Sequence, residues 1–121
     1  MDVFCKIIEG EIPSYTVYED DMVHVIMDVN PLSDGHCLVI PKEHYQDLYD
    51  IDDKVLTHIM LVGRKIALLL GDKLGCDGVT LEENNGCVQV VKHFHLHLIP
   101  SYHEKRVVQE DIETVFHKIV D

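Results

Sequence analysis

Three histidines stand at alternate positions in His93-Phe94-His95-Leu96-His97-Leu98-Ile99-Pro100, with only apolar residues between and after them. Alternation with period two is the pattern of a β-strand that has one face in a core. It predicts that Phe94, Leu96 and Leu98 point into packing, while His93, His95 and His97 line the opposite face at backbone spacings of roughly 6–7 Å. Each imidazole has two ring nitrogens that need partners when buried, so three in a row are a costly way to decorate a sheet. A working face is therefore a better reading than a solvated one.

Two chemistries fit such a face. Histidines at i and i+2 of a strand can chelate a metal ion, with His36 or His44 as further ligands. Three of them span too much strand to meet one ion together, however, and no carboxylate lies between residues 84 and 103. Alternatively, a neutral imidazole attacks phosphorus directly when an acceptor holds its other ring nitrogen, and its neighbours bind the phosphoryl oxygens. The turn Asn84-Asn85-Gly86 and Gln89 offer amide donors to such a phosphate. Spacing alone favours the nucleophile only modestly.

The rest of the chain reads as a single α+β domain over residues 1–121, with mostly antiparallel strands and one major helix. A short helical turn is expected at residues 3–9, and strands at 17–18, 22–28, 36–41 and 79–81, with a hairpin turn at Glu19-Asp20-Asp21. Residues 88–99 form the expected histidine strand. Asp52 or Asp53 caps a long helix running to about Leu74, with Val55, Leu56, Ile59, Ile66, Leu69 and Leu70 as its apolar stripe and Gly71 and Gly75 as candidate terminators. Ile112, Val115, Phe116 and Ile119 have helical spacing in a C-terminal segment that starts near Gln109. His44 reads as a surface residue at a helix entry.

Composition narrows the partners. A net charge of −12 argues against a nucleic-acid backbone, whose binding depends on exchanging cations for counterions. It also means that an anion site must rely on backbone N–H groups and imidazoles rather than on a basic field. No apolar run approaches the ~18 residues needed to span a bilayer, and the first residues lack a secretion-signal pattern, so a cytoplasmic protein with no membrane partner is expected. Four cysteines without a CxxC pair then read as reduced thiols, with Cys37 and Cys76 as small core residues.

Several motifs in register resemble one family. The stretch from His93 to Ile99 is similar to the signature of the histidine triad nucleotide-binding family, in the branch of bacterial HIT-like proteins and adenosine phosphoramidases. Phe4-Cys5-Lys6-Ile7-Ile8-Glu9-Gly10-Glu11-Ile12-Pro13-Ser14 resembles its N-terminal segment. Met27-Asp28-Val29-Asn30-Pro31 and Gly35-His36-Cys37-Leu38-Val39-Ile40-Pro41-Lys42-Glu43-His44 resemble its central segment, and Asn84-Asn85-Gly86 and Gln89 lead into the triad in the expected order. The resemblance implies a two-layer α+β fold with a five-stranded antiparallel sheet, one long helix, a short C-terminal helix, and homodimers whose sheets join. It implies a nucleotidyl hydrolase or transferase acting on nucleoside phosphoramidates or dinucleoside polyphosphates, with a purine nucleotide as ligand and no required cofactor. His95 is then the nucleophile, His97 and His36 line the phosphate site, and His93 orients the middle of the triad. Asp28 binds the ribose, Asn84 and Gln89 contact the phosphate side, and Ile7 and Ile26 wall the base.

The chain also departs from that pattern. Some members hold a structural zinc on two cysteines and two histidines; the corresponding positions here are Asp2, Cys5, His44 and His93, with aspartate in place of one cysteine. Carboxylate oxygen is an acceptable zinc ligand. The turn before the triad is shorter by about two residues, Val88 stands where glycine is common, Val90 where a serine or threonine often serves the leaving group, and Ser101 where arginine is frequent. Losing a positioned donor can slow chemistry by about 10²-fold. A catalytically weak nucleotide-binding regulator or scaffold is therefore the alternative reading.

Overall fold

The computed structural model describes residues 2–121. Asp2 caps the first helix, α1 (Val3–Ile8), by accepting the Cys5 N–H at 2.8 Å. Strands β1 (Thr16–Glu19) and β2 (Val23–Met27) form a hairpin, and β3 (Cys37–Pro41) follows after a loop. Helix α2 (Asp53–Leu74) starts at the Asp52 cap, whose carboxylate takes the Lys54 and Val55 N–H groups. It ends at Gly75, whose φ of 72° is the left-handed conformation glycine adopts most readily. Gly71, the other candidate stop, lies inside the helix. Strand β4 (Gly78–Glu82), a short 3₁₀ turn (Gly86–Val88), β5 (Leu96–Ser101) and α3 (Ile112–Val120) complete the chain.

All strand pairs are antiparallel and the sheet order is β1-β2-β3-β5-β4. Period-two alternation sorts its residues between two faces. Val23, Val25, Met27, Cys37, Val39, Leu96 and Leu98 pack with Ile59, Val62, Ile66 and Leu70 of α2 and with Val115 and Ile119 of α3. The opposite face carries Ile26, Leu38 and Ile40, covered by Phe4 of α1. Ile26, Leu38, His97 and Glu82 lie in one row across four strands. This row is the floor on which the functional site is built. Among the described residues, no helix is long and apolar enough to cross a membrane.

The histidine strand is shorter than expected and displaced toward the C-terminus. It begins at Leu96 and runs through Pro100 to Ser101 instead of covering residues 88–99. Upstream the chain leaves the ladder: the Phe94 N–H donates to the Tyr45 carbonyl in the loop after β3, and the His93 ring pairs with the Pro41 carbonyl. The last β3–β5 row is Val39↔Leu96, so the segment before Leu96 does not extend the sheet. His44 also differs from expectation. It lies in that loop, well before the Asp52 cap, and not at a helix entry.

Candidate functional site

Only His97 of the triad is a strand residue; His93 and His95 precede β5 in irregular chain. They nevertheless share a side. The Phe4 ring packs edge-on against both His93 and His95, at 5.8 and 5.0 Å between centroids, and His95 lies 4.9 Å from His97. Phe94, Leu96 and Leu98 enter the helix-covered core, as the alternation predicts.

Backbone groups decide which nitrogen of each ring carries the proton. His95 Nδ1 lies 2.8 Å from the His93 carbonyl oxygen, which can only accept. Nδ1 therefore holds the hydrogen, and Nε2 of His95 is left with a bare lone pair. His36 is set the other way: its Nδ1 accepts the Leu32 N–H at 3.1 Å, so the ring hydrogen sits on Nε2. That Nε2–H donates to His97 Nδ1 at 2.9 Å, which puts the His97 hydrogen on its own Nε2. The outcome is a lone pair on His95 beside an N–H donor on His97. Burial, reinforced by His95 and His36 nearby, pushes the His97 imidazole down to about 4. Burial likewise lowers His36, against the opposing pull of Asp28.

His95 and His97 open on a cleft of about 410 Å³ between α1, the start of the β2–β3 loop and the segment at residues 84–91. Ile7, Ile26 and Leu38 make its apolar side, and Asp28, Asn84, His95 and His97 its polar side. Asp28 does two things there. Its Oδ1 closes a turn by accepting the Asn30 N–H at 2.8 Å, and its Oδ2 stands 3.5 Å from His36 Nε2. Asp28, His36 and His97 could also gather on a cation, but the Leu32–His36–His97 hydrogen bonds already account for both facing ring nitrogens.

Three residues expected here are set back from the cleft: Gln89, His93 and His36, the last acting on it only through its hydrogen bond to His97. Gln89 is buried away from the cleft, where its amide donates to the Gln46 carbonyl. Gln89 ends the 3₁₀ turn, and Val90 and Val91 line the cleft instead. The His93 ring is fully buried outside the cleft, and it is the His93 carbonyl that orients His95. Phe4, the Leu32 N–H and the Pro41 carbonyl were not foreseen. Phe4 was open to detection, because Phe4 and Ile7 are three apart on a capped helix; a backbone group aimed at a ring has no signature in side-chain order.

His93 belongs to a second cluster. Its Nε2–H donates to the Pro41 carbonyl at 2.9 Å, so Nδ1 points a lone pair toward Asp2 Oδ2 at 3.2 Å and Cys5 Sγ at 3.5 Å. His44 Nδ1 approaches the same two atoms at 3.1 and 3.6 Å. The His93 lone pair faces the Asp2 carboxylate, an acceptor–acceptor contact that a cation held between them would relieve. Donors of a four-coordinate zinc lie about 3.3–3.6 Å apart, given bond lengths of about 2.0–2.3 Å. Asp2, Cys5, His44 and His93 fit that ion by chemistry and by spacing.

Comparison with known proteins agrees with this geometry. The HIT domain model matches residues 9–104. The chain belongs to the histidine triad family. A HIT-like protein of Methanocaldococcus jannaschii is 46% identical over 105 residues, covering 84% of this chain and 80% of its own. The adenosine 5'-monophosphoramidase of Saccharomyces cerevisiae is 41% identical over 105 residues, covering 85% of this chain and 64% of the yeast protein. A zinc-bound histidine triad family protein of Mycobacterium smegmatis superposes with a TM-score of 0.90 at 33% identity, covering 97% of this chain and 88% of that one. The five-stranded antiparallel sheet with a long helix and a short C-terminal helix is thus the architecture of this family.

Proposed function

We propose that this histidine triad protein is a nucleotidyl hydrolase that releases a purine nucleoside monophosphate from a phosphoramidate or a dinucleoside polyphosphate. One observation carries the reading: the His93 carbonyl holds the His95 Nδ1 hydrogen and leaves Nε2 bare beside the His97 N–H donor. In the first step the His95 Nε2 lone pair forms a bond to the α-phosphorus, and the bond from phosphorus to the leaving nitrogen or oxygen breaks, its electron pair departing with that atom, which takes a proton from solvent. The ring becomes cationic, and the His93 carbonyl stabilises the Nδ1–H that carries the charge. In the second step water attacks the same phosphorus and gives up a proton to solvent, the phosphorus–imidazole bond breaks with its electron pair returning to Nε2, and the monophosphate departs with neutral His95 restored. His97 Nε2–H binds a phosphoryl oxygen. Asp28, acceptor-only when ionised, suits the ribose hydroxyls, and Ile7 and Ile26 enclose the base.

A metal at Asp2, Cys5, His44 and His93 would be structural, because four protein donors leave no position for water. The paired sheets of a homodimer are part of the same reading. Among the described residues the outer edge of β4 has no strand partner, and Leu61 and Leu68 on α2 are 50% and 71% exposed.

Adenosine phosphoramidate tests the function directly. The parent protein is expected to release adenosine monophosphate, and His95→Ala to lose roughly 10³-fold or more of that rate while still binding the product. Binding without release by both proteins would instead mark a nucleotide-binding regulator, the outcome for which the exposed Val90 in the cleft wall argues.

A further inference from the structure

Two of the four donors in the Asp2–Cys5–His44–His93 cluster ride on the helix that walls the cleft. Asp2 uses its oxygens separately: Oδ1 caps α1 through the Cys5 N–H at 2.8 Å, and Oδ2 faces the Nδ1 atoms of His44 and His93 at 3.1 and 3.2 Å. Cys5, one turn on, sets its Sγ 3.6 and 3.5 Å from the same nitrogens. The other side of α1 supplies Val3, Phe4 and Ile7 to the cleft. Six residues are too few for a helix to hold its shape unaided, so the position of that wall depends on what anchors it. The anchoring histidines come from elsewhere: His44 from the loop after β3, and His93 from the segment whose carbonyl orients His95.

The zinc position that some family members hold falls here on Asp2, Cys5, His44 and His93, and we propose that, with aspartate as the fourth donor, loading it is coupled through α1 to nucleotide binding in the cleft. The nucleotide half rests on the function proposed above. A cation that bridges Asp2 and Cys5 to His44 and His93 fixes α1 against the sheet. A base seated against Phe4 and Ile7 needs the same wall in the same place. Whichever ligand arrives first bears the ordering cost, and the second binds more tightly by that amount. Such linkage is reciprocal by thermodynamic necessity.

The test uses the full chain, stripped of metal with a chelator and then reloaded. Zinc affinity is measured by competition with a chromophoric chelator, with and without adenosine monophosphate; nucleotide affinity is measured by calorimetry, with and without zinc. The expected result is one zinc per chain, and at least about fivefold tighter nucleotide binding with zinc, with the same factor recovered for zinc with nucleotide. Cobalt(II) in place of zinc should give a thiolate charge-transfer band that Cys5→Ser removes. Asp2→Asn keeps a capping oxygen and should weaken zinc by at least about tenfold. Nucleotide affinity that is equal with and without zinc overturns the coupling and leaves the hydrolase reading standing. Failure to bind zinc stoichiometrically overturns the site. Failure of nucleotide to bind either form overturns the coupling and the hydrolase reading together.

Discussion

His97 sits among His95, His36, Asp28 and Glu82, and burial holds it neutral, at about 4. A phosphate anion brought against its Nε2 supplies a close negative charge, which favours the imidazolium and raises that value. Binding of adenosine monophosphate near pH 6 should therefore take up protons and tighten as pH falls from about 8 to 6, the range in which free histidine begins to titrate. Calorimetry in buffers of different ionisation heat measures the uptake directly. His97→Gln keeps a hydrogen-bond donor but cannot titrate, so its binding should show much less uptake. Equal uptake in the two proteins would place the proton on another group. The same residue shows what could and could not be read from residue order. Three imidazoles at alternate positions announce a shared face, but their proton positions are set by the Leu32 N–H and the His93 carbonyl. Those atoms exist at every residue and become informative only once the chain is folded.

At the scale of elements, one carboxylate ties the β1–β2 hairpin to α2. Asp20 accepts the Met22 and Val23 N–H groups and the Tyr18 hydroxyl, and its Oδ2 stands 2.7 Å from His58 Nε2 on the helix. These partners hold its carboxyl well below the usual range against the cost of burial. Asp20→Ala strands several donors at once and should cost about 1–3 kcal/mol in urea unfolding; a loss below about 0.5 kcal/mol would show that water replaces the carboxylate. Gly35 is the second sensitive joint, leading straight into His36. Its φ is 92°, and an added Cβ would come within 2.5 Å of Leu74 Cδ1. Gly35→Ala should destabilise by about 1–3 kcal/mol and slow turnover by displacing His36, whereas unchanged stability would mean that α2 yields easily at its end. Elements with strong local chemistry were legible in advance: the α2 cap at Asp52 or Asp53, its apolar stripe and its stop at Gly71 or Gly75 are local signals, and the structure selects Asp52 and Gly75. The start of β5 was not. Alternation continues upstream of Leu96, but the β3–β5 register ends at Val39↔Leu96, two residues short of the end of β3, and the Phe94 N–H and the His93 ring turn instead to the Tyr45 and Pro41 carbonyls.

For the whole molecule, the buried histidines set how stability depends on pH. Burial lowers His24, His36 and His97 below their ordinary values. Between the folded and unfolded values, the unfolded chain binds more protons, so stability is complete above about pH 6.5 and falls as the solution is acidified toward about 4. The urea midpoint should drop over that interval, and His97→Gln should flatten the slope; a midpoint independent of pH there would contradict the burial argument. In the proposed dimer, Leu68→Glu should shift the sedimenting species to monomer, because it places charge on an exposed apolar patch of α2. The overall architecture was readable because a single apolar alternation builds both faces of the sheet. The cleft was only partly readable, since Gln89 turns away and Phe4 turns in. The central claim is a transient bond between phosphorus and His95 Nε2. Rapid quenching of a turnover mixture with adenosine phosphoramidate, followed by peptide mass mapping, tests it most directly. An adenylate adduct on His95 that forms and decays at the turnover rate is the predicted result; release of adenosine monophosphate with no adduct at any time point, or with an adduct on another residue, would contradict it.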